Sequence, residues 1–233
     1  MARNWNLFYR QFITYGGYKT VLNGLLATVE IAVFGLIIGI VIGTLIALVK
    51  VMPKYKVMPR VLSRICDVYV GFFRGTPMVV QLLIGYFVLL PALGVSADGV
   101  TVAIVVFGLN SGAYVSEIMR SGIQSVDSGQ LEAGRALGLT FWKSMFKVVI
   151  PQSIKNILPT LGNEFIVLIK ETSVVSFIAV TDLTKAFRAI GDANYEYIIP
   201  YLMLAAVYLV LVMIITLGIR IMERRLKRSD GRR

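Results

Sequence analysis

Four polar side chains sit in otherwise apolar stretches of this 233-residue sequence: Asn110, Ser111, Glu164 and Thr172. A carboxylate in such surroundings costs about 3 kcal/mol unless protein, water or a ligand satisfies it. Glu164 can take an ammonium or a cationic side chain, and Asn110, Ser111 and Thr172 can donate hydrogen bonds to a carboxylate. The alternative is that Glu164 pairs with Lys170 or another basic residue and only holds helices together. Lys170 and Glu171 lie nearer the end of their segment, where a surface ion pair is worth little. The sequence has no His and a single Cys66, so it lacks the commonest metal ligand and general base and cannot form an intrachain disulfide. A membrane enzyme would need a constellation of such groups.

The elements that position these residues follow from composition. With 57% hydrophobic and only 16% charged residues, the chain has more apolar surface than a water-facing fold can bury. A helix crosses lipid with about 20 apolar residues, because each adds about 1.5 Å and lipid offers the backbone no partners. Five segments meet or nearly meet that test, at about 25–49, 68–90, 99–116, 156–180 and 197–219. The fourth is the least apolar, since it carries Glu164, Lys170 and Glu171. With no room for a separate soluble unit, residues 1–233 read as a single membrane domain. Asn110 lies twelve residues past Asp98 and Glu164 eight past Asn156. At the helical rise these are roughly 18 and 12 Å into a core about 30 Å thick, from opposite sides, so both fall near its middle.

The net charge of +11 also admits nucleic-acid binding. Position argues against nucleic acid, because the basic residues flank apolar runs and collect in the tail Arg220, Arg224, Arg225, Lys227, Arg228, Arg232 and Arg233. Counting Lys170 at the end of the fourth span with the loop that follows it, seventeen Lys and Arg fall on one set of alternate sides and six on the other. That asymmetry places the N-terminus outside and the C-terminus in the cytoplasm. Trp5, Tyr9, Tyr15, Tyr18, Tyr195, Tyr197 and Tyr201 fall near expected outer ends, as interfacial aromatics do. The first apolar run is too long for the core of a cleaved signal peptide, so the N-terminal segment is expected to be kept. Gly35, Gly39 and Gly43 make two small-xxx-small steps that suit close helix packing. Arg74, with the Gly75-Thr76-Pro77 break after it, reads either as part of an inner gate formed with Pro77 or as a snorkelling side chain.

The longest basic-side loop, 119–155, is patterned as a helix. Asp127 or Ser128 can cap it, Leu131, Ala133, Ala136 and Leu137 give it an apolar face, and Gly138 can end it in a left-handed turn. A second amphipathic stretch with Phe141, Trp142, Met145, Phe146 and Val149 is expected to end at Pro151. A short helix of this kind either docks another protein or lies flat on the membrane.

The stretch Glu132-Ala133-Gly134-Arg135-Ala136-Leu137-Gly138, followed nine residues later by Val148-Val149-Ile150-Pro151, resembles the EAA loop of binding-protein-dependent ABC importer permeases. Gly134 stands for that family's second Ala, Val148 for its Ile and Ile150 for its Leu. Arg74-Gly75-Thr76-Pro77 with Gln81, Gly108-Leu109-Asn110-Ser111-Gly112-Ala113-Tyr114 with Glu117 and Arg120, and Leu158-Pro159-Thr160-Leu161-Gly162-Asn163-Glu164 running into Lys170-Glu171-Thr172-Ser173 resemble its polar amino-acid branch. The resemblance implies an all-α membrane protein of the type I ABC importer permease fold, with five transmembrane helices and a cytoplasmic coupling helix. It implies a role for Glu132, Ala133, Gly134, Gly138, Leu139 and Pro151 in docking an ATP-binding cassette subunit, and a place for Asn110 and Glu164 on a central cavity. It implies no cofactor on this chain, with ATP and Mg held by the partner ATPase. The sequence accordingly contains no G-x-x-x-x-G-K-[ST] phosphate loop.

The implied partners are the ATPase, a second permease copy or homologue, an extracytoplasmic amino-acid-binding protein, the amino acid and membrane lipid, with no nucleic acid. Two copies of Glu164 on one cavity would favour a cationic amino acid. Rival readings are an ion-driven carrier or channel, for which Glu164 is the ion site, and an ABC permease for another small solute.

Overall fold

The computed structural model describes residues 2–52 and 57–230, so Lys54 and Lys56, between the first two expected spans, and Arg232 and Arg233 of the tail lie outside the described residues. Every regular element among them is helical. In chain order they are α1 (Ala2–Tyr9), α2 (Gly17–Val51), α3 (Val57–Gly75), α4 (Met78–Ile84), α5 (Leu90–Ala92), α6 (Gly99–Gln124), α7 (Ser128–Ala136), α8 (Phe141–Ser144), α9 (Ile150–Glu171), α10 (Leu183–Asp192) and α11 (Ile198–Asp230). Helices α2, α6 and α11 are each long and apolar enough to cross a membrane alone.

The scaffold is the α2–α6 pair, the most extensive helix contact in the chain. Gly35 lies against Phe107 and Gly108, Gly39 against Ser111 and Gly112, and Gly43 against Val115 and Ser116. The numbers rise together, so the two helices run parallel, and absent side chains let their backbones approach. A Cβ at Gly43 would stand 2.6 Å from Val115 Cγ1 and 2.8 Å from the Ser116 backbone nitrogen. Backbone cannot yield as a side chain does. Gly43→Leu is therefore expected to cost about 1–3 kcal/mol or more through overpacking. In detergent its thermal midpoint should fall by several degrees, whereas Gly71→Ala, whose added Cβ would meet nothing within 4 Å, should leave the midpoint unchanged or slightly raised.

The expected second span is not one straight helix. Helix α3 stops at Gly75, and the stretch Met78–Ala92 departs from it at 106°. Pro77 is extended (φ −64°, ψ 140°) and caps α4, so the missing N–H and ring sterics that predict a break also redirect the chain. Helix α4 packs against α6 and the 172–178 segment, with Met78 and Leu82 in a core that includes Ile31, Val102, Phe107 and Ile169.

Three further boundaries depart from the sequence reading. The amphipathic stretch at Phe141 does not end at Pro151; α8 passes through a π-helical turn, Met145–Val149, directly into α9, and Pro151 occupies the first turn of that helix. A wider turn and a first-turn position both tolerate a residue without an N–H. Helix α9 thus begins six residues before 156, ends at Glu171 and continues as a 3₁₀ segment, Thr172–Ile178, stopped by Ala179 at φ 62°. Unlike α2, α6 and α11 it is not apolar enough to pass as a membrane-crossing helix by itself, and it packs against all three.

The sequence reading contained neither α1 nor α10. Asp182, fully buried, caps α10 by accepting from Thr184 N at 2.9 Å and Lys185 N at 3.0 Å. Burial pushes its carboxyl up, and those backbone N–H groups pull it back. Leu183, Phe187 and Ile190 of α10 close with Phe8 and Val21 into a second core, capping the end of the bundle where α2 begins.

Candidate functional site

Helix α6 carries two of the candidate polar residues, Ser111 and Asn110, on two of its faces. On one, Ser111 Oγ donates to Glu164 Oε1 at 3.2 Å, joining α6 to α9. Ser111 is held there by Gly39, whose missing side chain leaves room for the hydroxyl. Glu164 is 8% exposed, and among the described residues its hydrogen-bond partner is Ser111 and not Lys170, which points to the surface. A buried carboxylate without a cation is the arrangement a cationic ligand completes.

On the other face Asn110 meets the α3–α4 break. Its Nδ2 donates to Gln81 Oε1 at 2.9 Å and to the Phe73 carbonyl at 3.2 Å. Gln81 Nε2 in turn reaches Phe73 O at 2.8 Å, Thr76 O at 3.0 Å and Thr76 Oγ1 at 2.8 Å, and Thr76 Oγ1 donates to Phe72 O at 2.9 Å. Both amide hydrogens of Asn110 are therefore committed to protein. Thr172 is fully buried and its hydroxyl donates to Ile169 O at 2.7 Å, back into its own helix. The structure thus brings Ser111 and Glu164 together, places Asn110 one residue away on an adjoining face, and turns Thr172 elsewhere.

Gln81 gives the same signal in the sequence as Asn110, a lone amide in an apolar run, and its role shows only in these bonds. Arg74, exposed beside the break, lies over the Tyr114 ring with its guanidinium carbon 5.4 Å from the centroid. Below them an ionic group ties three helices: Lys50 Nζ reaches Glu117 Oε1 at 2.7 Å and Asp67 Oδ1 at 3.2 Å, and Arg120 Nη2 reaches Glu117 Oε2 at 2.7 Å.

Beyond this ionic end projects α7. Asp127, of the two capping candidates, accepts from Gly129 N at 2.6 Å. Gly138 adopts φ 82°, and Leu139 N closes the turn on Gly134 O at 3.2 Å. Gly134 faces α8, where a Cβ would stand 2.9 Å from Ser144 Oγ, which accounts for a Gly where the EAA pattern has Ala. Glu132, Ala133, Gly138 and Pro151 are exposed, Leu139 is half-buried, and Leu137 is 84% exposed. The Gln152 amide donates to Gln130 Oε1 at 3.1 Å and fixes α7 to the start of α9.

A bundle of apolar helices with a polar seam at mid-span and a small helix standing off one end is a membrane transport subunit. The family model described as "Binding-protein-dependent transport system inner membrane component" matches residues 35–228, and the chain belongs to that family, whose members are multi-pass inner-membrane proteins. It is 41% identical to the arginine transport system permease protein ArtQ of Bacillus subtilis over 90% of this chain and 94% of that one. It is 40% identical to a putative glutamine transport system permease protein GlnP of Rickettsia bellii, over 88% and 92%. It is 37% identical to the L-cystine transport system permease protein TcyB of B. subtilis, over 96% and 92%. Among solved structures, a chain described as "an amino acid ABC transporter with histidines" superposes with a TM-score of 0.82 at 40% identity, covering 93% of this chain and 98% of that one.

Proposed function

We propose that this chain forms half of the translocation path of an ATP-driven amino-acid importer, with Glu164 as the group that receives the substrate's positive charge. The observation that carries the reading is the buried carboxylate held by Ser111, with no cation bonded to it among the described residues. Amino-acid transport in the names of the relatives supports it, and the arginine relative suits a cavity lined by two copies of Glu164. Asn110 contributes the position of its helix, and without substrate its amide hydrogens are held by Phe73 O and Gln81 Oε1. Five crossings are supported by the packing directions: α3 runs against α6, α9 against α6, and α11 against α9, while α2 and α6 are parallel with one return between them. The basic bias then puts the N-terminus outside and the C-terminus, with α7, in the cytoplasm. Leu137 and the Gly138 turn meet a separate ATP-binding subunit, and closure of the ATPase dimer moves two such elements together and reorients the cavity.

The test is reconstitution of the chain in vesicles with its ATP-binding subunit and an extracytoplasmic binding protein. Arginine, glutamine and cystine are each assayed for stimulated ATP hydrolysis. Stimulation several-fold above the substrate-free rate by one of them is expected. Failure of any ATPase to associate, with uptake driven instead by an ion gradient, would overturn the proposal.

A further inference from the structure

Helix α3 ends at Gly75 with its last carbonyls unpaired by its own turns, and such groups need partners when water is excluded. Here they are supplied from other elements. The carbonyl of Phe73 receives two side-chain amides, Gln81 from α4 and Asn110 from α6, and that of Phe72 receives the Thr76 hydroxyl. The donors point one way: Asn110 Nδ2 to Gln81 Oε1, Gln81 Nε2 to Thr76 Oγ1, Thr76 Oγ1 to Phe72 O. Bonds aligned in this way polarise one another. Gln81 is 6% and Asn110 5% exposed, so little water stands ready to replace either.

The angle between α3 and α4 is therefore set from α6, by a clasp that ends one residue from Ser111. We propose that Gln81 is a positioning residue for transport, holding the α3–α4 break in register with α6, and that substrate drawing on Asn110 opens this clasp and frees α3 to move. Phe73 O and Gln81 Oε1 share the one donor group on Asn110. A substrate atom that takes its hydrogens unpairs both at once. This rests on reading Asn110 as a wall of the substrate cavity; the part of the clasp that fixes the break does not.

The experiment uses the full transporter complex in nanodiscs, with spin labels at the exposed positions Val61 on α3 and Phe87 beyond α4. Gln81→Met keeps the length of the side chain and removes every clasp bond in which Gln81 takes part, leaving those of Asn110 to Phe73 O and Thr76 to Phe72 O. Thr76→Val, at the less demanding surface of the break, is the second variant, and it decides the matter if Gln81→Met does not fold. Without substrate, the wild type should give one narrow distance distribution and both variants a broad or displaced one. Arginine, the probe amino acid, should move the wild type toward the Gln81→Met distribution. Maximal uptake in Gln81→Met should fall about tenfold, with the half-saturating concentration changed less than twofold. Distributions and maximal uptake equal to wild type, or a rise in half-saturation alone, would overturn the proposal and make Gln81 a ligand contact or an inert core residue. A wild-type complex that ignores every amino acid would instead sink the importer reading, while the substrate-free distances still decide whether the clasp sets the break.

Discussion

Glu164→Ala is expected to lower amino-acid-stimulated ATP hydrolysis about 30-fold at sub-saturating substrate and leave the substrate-free rate intact. Removing one member of a buried charge pair costs about 2 kcal/mol or more, and each 1.4 kcal/mol is tenfold in affinity. Glu164 forms that pair only when substrate is present, because among the described residues its hydrogen-bond partner is Ser111. Without substrate the same replacement should relieve an unpaired buried charge, so the thermal midpoint of the empty protein should hold steady or rise. Ser111→Ala separates the two contributions: it removes the bond and keeps the charge, and should shift half-saturation by less than tenfold. A Glu164→Ala complex with wild-type stimulation would remove this carboxylate from the substrate path.

Gly138→Val should uncouple the ATPase. Gly138 sits at φ 82° at the exposed end of α7, with nothing within 4 Å of the position a Cβ would take. Space is not the obstacle there; the backbone conformation is, at a cost of about 1–2 kcal/mol for an L-residue and more for a β-branched one. The strain can be relieved only by changing the turn that sets Leu137 and Leu139. Affinity for the ATP-binding subunit is expected to fall about tenfold and uptake with it, at an unchanged thermal midpoint in the isolated permease. Gly138→Asn, which tolerates the left-handed region, should retain most of the coupling. Equal affinities for the Val and Asn variants would mean that the turn is no part of the joint.

What was legible in the sequence is what local chemistry dictates. Apolar runs mark the long helices, Asp127 and Gly138 bound α7, and Pro77 breaks the second span. The depth argument put Asn110 and Glu164 at one level, and it is Ser111, the next residue, that bonds to Glu164. The rest depends on neighbours. No local rule gives the break its 106° bend, because that angle is fixed by side chains from α4 and α6. Asn110 reads as a donor to substrate, and only its partners reveal that in the empty protein its hydrogens already hold Phe73 O and Gln81 Oε1. Pro151 reads as a terminator until the preceding turn is seen to widen around it. Helix α10 had a readable cap in Asp182 and a helical spacing of Leu183, Ala186, Phe187 and Ile190, but it is short and follows an apolar run that masked its start.

The parallel glycine seam also bears on biogenesis. Ser111, which meets Gly39, lies 72 positions later in the chain, beyond α3, α4 and α5. When α2 first leaves the insertion machinery its cleft therefore has no protein partner, and acyl chains must occupy it until α6 arrives. A stalled chain ending before Ser111 would present that cleft to any passing helix, so fidelity depends on α3 to α5 being laid down promptly and in the right sense. The same grooves that let two backbones touch in the finished subunit are thus the points at which a slowly made one would be most open to mispairing and membrane quality control.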